Sequence, residues 1–165
     1  MDSQNDLQRL ELQEQLLKFE HFDKRTAWDL GTRLKAACEG LGVALTIEVR
    51  LVRETVFFYA MPGTAAVNAD WARRKRNVVE LLEQSSYRVG RSLEQQGATL
   101  EGLMGLPLRD YADHGGSFPI NVKGLGCVGA VTVSGLPQRE DHVLVVQVLA
   151  QMCGVGQQQV LLDFS

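Results

Sequence analysis

Apolar positions along this chain fall into two periods, and the switch between them marks out its elements. From Leu7 to about Glu20, Leu7, Leu10 and Leu17 lie near one helical face, widened by Leu12, Leu16 and Phe19. A second helix is predicted from Asp23 to Glu39, with Ala27, Leu30, Leu34, Ala37 and Cys38 on its apolar face and Gly40 as its stop. At Val43 the period drops to two. Val43, Leu45, Ile47 and Val49 alternate with Ala44, Thr46, Glu48 and Arg50, the pattern of a half-buried strand. A second strand, about Thr55 to Ala60, completes a hairpin across Leu51 to Glu54 whose turn lacks Asn-Gly or Asp-Gly. Met61-Pro62-Gly63 breaks it.

Helical periodicity returns from about Asp70 to Gln84 and from Tyr87 to Gln96, with Gly97 ending the latter. Eight of the sixteen glycines lie between Gly102 and Gly135, a stretch of turns and close backbone approaches. Two strands are predicted inside it, Phe118–Val122 and Cys127–Ser134. A last helix, about Arg139 to Cys153, carries Val145, Val148, Leu149 and Met152 on one face, with Gly154 as its stop. Strands in adjacent pairs between helices predict an α+β fold with an antiparallel sheet, not a βαβ alternation. The tail, Gln157 to Leu162, is expected to form an extra strand or an arm toward a neighbouring subunit.

Composition narrows the classes. At 165 residues and 45% hydrophobic, the chain suits one domain spanning residues 1–165. Seventeen basic residues against twenty acidic ones give a charge of −3, too balanced for a nucleic-acid or lipid-surface protein. No apolar run is long enough for a membrane span. Cys38, Cys127 and Cys153 form no Cys-x-x-Cys pair and read as core filling. Together with the polar, acidic start at Met1 to Asp6, they point to a reducing cytoplasm. His21, His114 and His142 lack metal-ligand spacing, so no metal site is expected.

Four stretches carry candidate chemistry. Gly124-Leu125-Gly126-Cys127-Val128-Gly129 matches the letters of a dinucleotide fingerprint, but a strand follows where that fingerprint needs a helix N-terminus. It is expected to be a hairpin bend. In the run Arg73-Arg74-Lys75-Arg76, helical geometry spreads the charges around the axis. Lys75 alone falls on the apolar stripe of Trp71, Val78 and Leu82, where a lysine snorkels along the core edge or pairs with an anion. Arg73 and Arg76 are expected to be solvated. In His114-Gly115-Gly116-Ser117, paired glycines let backbone amides approach a ligand beside an imidazole and a hydroxyl, or simply make a tight turn. In Ser134 to His142, Glu140 and Asp141 suit a helix start on an exposed turn, and His142 is expected at the surface.

These stretches, with Ala60-Met61-Pro62-Gly63-Thr64, Trp71 to Val79 and Gly129 to Gln138, resemble an uncharacterised branch of the haem-degrading-domain superfamily (GlcG/HbpS-like) over roughly Val43 to Ala150. The resemblance implies a profilin-like layered fold, assembly into homo-oligomers, and, for some relatives, haem as cofactor. It also maps a recurring lysine onto Lys75 and a Gly-Gly-x-Pro-Ile stretch onto Gly115, Gly116, Pro119 and Ile120, with Phe118 as an extra residue before the proline. The resulting expectation is a homo-oligomer that binds a small, anionic ligand or a partner protein, without established catalysis. Its pocket is framed by Lys75, Arg74, His114, Gly115, Gly116, Ser117, Ser134 and Gly135. The alternatives are an enzyme acting on haem or on a small carboxylate, with His114 as its catalytic proton carrier, and an interaction scaffold.

Overall fold

The computed structural model describes residues 3–162. In chain order the elements are α1 (Ser3–Leu16), β1 (Lys18–Phe19), α2 (Lys24–Leu41), β2 (Thr46–Leu51), β3 (Glu54–Ala60), α3 (Ala66–Leu82), α4 (Ser86–Gln96), α5 (Leu100–Met104), β4 (Ser117–Val122), β5 (Gly126–Ser134), α6 (Gln138–Cys153) and α7 (Gln157–Val160). One five-stranded sheet, ordered β1-β4-β5-β2-β3, organises them. The β2–β3, β2–β5 and β4–β5 pairs are antiparallel as predicted, while the short β1 joins the edge of β4 in parallel.

The pleat gives the sheet two unlike faces. Leu45, Ile47, Val49, Val131 and Val133 point into the main core with Leu30 and Leu34 of α2 and Val145, Val148 and Leu149 of α6. The alternate positions face α3 and are polar. Arg76 of α3 reaches Glu48 at 3.1 Å, and Arg50 donates to Glu80 of α3 at 2.8 Å. Arg76 is therefore a buried-layer residue, contrary to its expected solvation: the carboxylates that hold it lie on a strand and one helical turn further along α3. Because α3 covers this face, sheet and helix meet through ion pairs.

Local chemistry accounts for the ends of the elements. Asp23 caps α2, its carboxylate accepting from the Arg25 and Thr26 amides at 2.9 Å, with Thr26 closing a capping box. The helix runs past Gly40 and stops at Gly42, which takes the left-handed conformation that presents its N–H to Cys38 and Glu39. The β2–β3 turn places Val52 and Arg53 at φ 49° and 64°, the twist a two-residue hairpin needs, without a glycine. The Val52 N–H bonds to the Val128 carbonyl at 2.8 Å, which helps to hold it there. The glycine letters at 124–129 form the β4–β5 bend, with no helix behind them.

Two expectations at the chain's ends are corrected. The first helix ends at Leu16, and Lys18–Phe19 becomes β1 instead of its last turn. The glutamine-rich tail is not a strand. It forms α7, which folds back onto α1, where the Gln13 amide donates to the Val160 carbonyl at 2.6 Å and Leu162 packs with Leu10.

Candidate functional site

At one end of the sheet the N-terminus of α6, the first half of α3 and the loop before β4 enclose a cavity of about 210 Å³. Asn68, Trp71, Lys75, His114, Ser134, Gly135, Leu136 and Gln138 line it. Four residues expected in a pocket therefore meet here: Lys75, His114, Ser134 and Gly135. The other four do not line it. Arg74 donates to the Leu108 carbonyl at 2.9 Å and lies over the Trp71 ring at 4.3 Å. Ser117 is buried, its hydroxyl 2.8 Å from that of Thr132 and its amide taken up by Ser86. Gly115 and Gly116 are packing positions. A Cβ on Gly115 would lie 2.3 Å from the Gln138 carbonyl, and one on Gly116 2.5 Å from the Val133 carbonyl and 2.9 Å from Lys75 Nζ. The glycine pair lets the loop pass this close to β5 and α6.

Lys75 has an answer to the choice between snorkelling and pairing. Its ammonium is 4% exposed and meets Asp141 Oδ2 at 3.0 Å, with a longer contact to the Val133 carbonyl at 3.4 Å. Asp141 was expected on an exposed turn and is completely buried. The cause is the sharp entry into α6, which turns the carboxylate back onto the chain. Asp141 accepts from the Leu136 amide at 3.0 Å and the Gly135 amide at 3.3 Å. Burial pushes Lys75 below the usual ammonium range and lifts Asp141 above the usual carboxylate range, and their mutual attraction opposes both shifts.

The cavity wall is biased toward donors. The side-chain oxygen of Asn68 accepts from the Ala65 amide at 2.9 Å, and that of Gln138 from the Gly115 amide at 3.0 Å. What these two amides have left to offer are their NH₂ groups. No carboxylate is among the lining residues. His114 stands exposed at the cavity with its ring 5.1 Å from that of Trp71. Loss of water around the ring, aided by the charges of Lys75, Arg74 and Arg91 and opposed by Asp113, holds its pKa below the usual range. It is a neutral imidazole at pH 7, able to carry a proton in either direction.

His142 corrects the sequence reading most sharply. It is 1% exposed, 5.1 Å from the Tyr87 ring in a stacked arrangement, and its Nε2 lies 2.8 Å from Gln13 Oε1. Since the Gln13 NH₂ is committed to Val160, Gln13 presents its oxygen and His142 is the Nε2–H tautomer. Its Nδ1 has no partner among the described residues. Burial, reinforced by Arg139, pushes the His142 pKa down to about 3. It ties α6 to α1, not to the cavity. Among the described residues no three His, Cys, Asp or Glu side chains converge as a metal site.

A five-stranded sheet of this layout, flanked by helices, defines an α+β domain, and solved structures share it. The Ybr137w protein superposes with a TM-score of 0.82 at 27% identity, over 90% of this chain and 87% of its own. HbpS superposes at 0.64 with 18% identity over 81% and 91%, and a PduOC:heme complex at 0.63 with 20% over 79% and 94%. The family model described as haem degrading protein HbpS-like matches residues 22–150, and the chain belongs to that family. UPF0303 proteins of Serratia proteamaculans and Azotobacter vinelandii are each 51% identical to it. The first match covers 94% of this chain and 97% of the relative, the second 99% and 98%.

The family name raises haem, which the cavity does not fit. Its volume of about 210 Å³ is below the ~300 Å³ at which pockets for drug-sized ligands begin, and a haem is a large ligand on that scale.

Proposed function

We propose that this protein binds a small carboxylate in the cavity beside Lys75, and does so as a homo-oligomer. The observation that carries the reading is the donor bias of the wall. Asn68 and Gln138 have their oxygens occupied by backbone amides, and Asp141 is saturated by two amides and Lys75. An anion entering there meets NH₂ groups and the edge of the Lys75 ammonium, whose paired carboxylate, Asp141, is not itself among the lining residues. The volume admits a ligand of a few heavy atoms. Three free thiols accord with a reducing, cytoplasmic setting.

Assembly is read from β3. It is an outer strand of the sheet, and beyond the charge of Glu54 at its start, its residues Thr55 to Ala60 carry none. Phe58 there is 48% exposed and Trp28 on neighbouring α2 is 64% exposed. Native edges are usually blunted by charge or proline, and an unblunted one suits pairing with a second copy.

The test of the ligand reading is calorimetric titration with lactate and succinate, repeated on Lys75→Met. Saturable heat lost in the variant supports the reading. Heat that is unchanged in the variant, or absent from the wild type, overturns it.

A further inference from the structure

The cavity holds a primary amine in a setting unlike that of the other lysines. Lys18, Lys24, Lys35 and Lys123 lie at or near the surface, with Lys24 and Lys123 side chains 67% and 57% exposed. Lys75 is buried, lines a cavity, and has a carboxylate at 3.0 Å that two backbone amides hold in place. His114, a neutral imidazole, lines the same space. An amine, a fixed proton acceptor and a second proton carrier around a small donor-lined cavity are the parts needed for carbonyl chemistry.

We propose that Lys75 forms an imine with a small 2-oxo acid, whose carboxylate is seated by the Asn68 and Gln138 amides. This rests on the small-carboxylate reading above and names its substrate class. The Lys75 ammonium first passes a proton to Asp141 Oδ2, and burial favours this neutral pair by disfavouring both charges. The Nζ lone pair then attacks the carbonyl carbon, forming a C–N bond as the C=O π bond breaks. His114 moves a proton from nitrogen to the new alkoxide, giving the carbinolamine. Asp141 returns its proton to the hydroxyl, water leaves, and the nitrogen lone pair closes the C=N bond. Ammonium and ketone become iminium and water, and the iminium charge again faces the Asp141 carboxylate.

The test is reductive trapping. Wild-type protein is incubated with pyruvate and borohydride, digested, and mapped by mass spectrometry. The expected result is a carboxyethyl group on Lys75 ahead of the four other lysines, although it is the most buried, and slower trapping in His114→Gln. Adducts spread over Lys18, Lys24, Lys35 and Lys123 with Lys75 unmodified overturn the proposal. The wild-type map decides this without a variant that must fold. Lactate, which has the carboxylate but no carbonyl, separates the two readings. If lactate binds and Lys75 is not trapped, the imine step falls and the carboxylate site stands; if neither lactate nor pyruvate engages the cavity, both fall.

Discussion

His142 makes acid stability of this protein a measurable consequence of its fold. A histidine normally takes up a proton near pH 6.5, while burial holds His142 in the folded chain down to about 3. Between those values the unfolded chain binds one proton more than the folded one. Stability therefore rises with pH there: the contribution is fully present above about pH 7 and is lost as pH falls, at about 1.4 kcal/mol per pH unit. From pH 7 to pH 5 the expected loss from this one residue is about 2 kcal/mol. Glu14 and Asp141, raised by burial, oppose the trend, and His114, lowered by desolvation, adds to it. A difference against His142→Gln removes all three, because Gln does not titrate and can keep a donor toward Gln13. Urea unfolding of both proteins at pH 7, 6 and 5 gives the two curves. The gap between them should change by about 2 kcal/mol over that range. Parallel curves would mean that His142 is solvated or already charged in solution, and its assignment as a buried, neutral imidazole would be wrong.

Other outcomes follow from the same geometry. Asp141→Asn should destabilise the fold by about 3–5 kcal/mol, since it leaves the buried Lys75 ammonium uncompensated, and adding Lys75→Met should recover much of the loss in a chemical denaturation series. Gly116→Ala forces a Cβ to 2.5 Å from a fixed carbonyl at φ 134°, and should cost more than the ~1 kcal/mol of an ordinary substitution; a wild-type melting curve would refute the packing role. Phe58→Lys on the β3 edge should lower the oligomer mass seen by light scattering while circular dichroism stays unchanged, and an unaltered mass would move the interface elsewhere. Ser117→Ala should leave lactate binding intact, because its hydroxyl faces Thr132 inside the sheet, and lost binding would bring the His114 loop back into the site as first expected.

Hydrophobic period made most elements legible. The alternation from Val43 to Arg50 and the stripe from Val145 to Met152 each report one face of one element, which a linear pattern encodes directly. Errors gathered where a local signal had a distant competitor. Gly40 looked like a helix stop, yet Gly42 reached the geometry that satisfies the last carbonyls. Lys18–Phe19 continued a helical stripe, yet β4 offered a strand partner. The short α5 lacks the length for a periodic signature and went unseen. In the site, Lys75 was visible as a charge on an apolar stripe, and His114, Ser134 and Gly135 as parts of unusual loops. Asn68 and Gln138 carried no signal, because an amide's value here depends on which of its ends a backbone N–H has taken.

The sequence by itself determined the element types, the α+β class and the family. These depend on side-chain periodicity and on motifs held within short windows. Tertiary structure alone decided the pairings: Lys75 with Asp141 across 66 residues, and His142 with Gln13 across 129. A charge near a helix start satisfies the same local rule whether it faces water or a lysine. Only the register of β5 and the turn into α6 aimed Asp141 inward, and once water was excluded its charge was met by the Lys75 ammonium that α3 brought within reach.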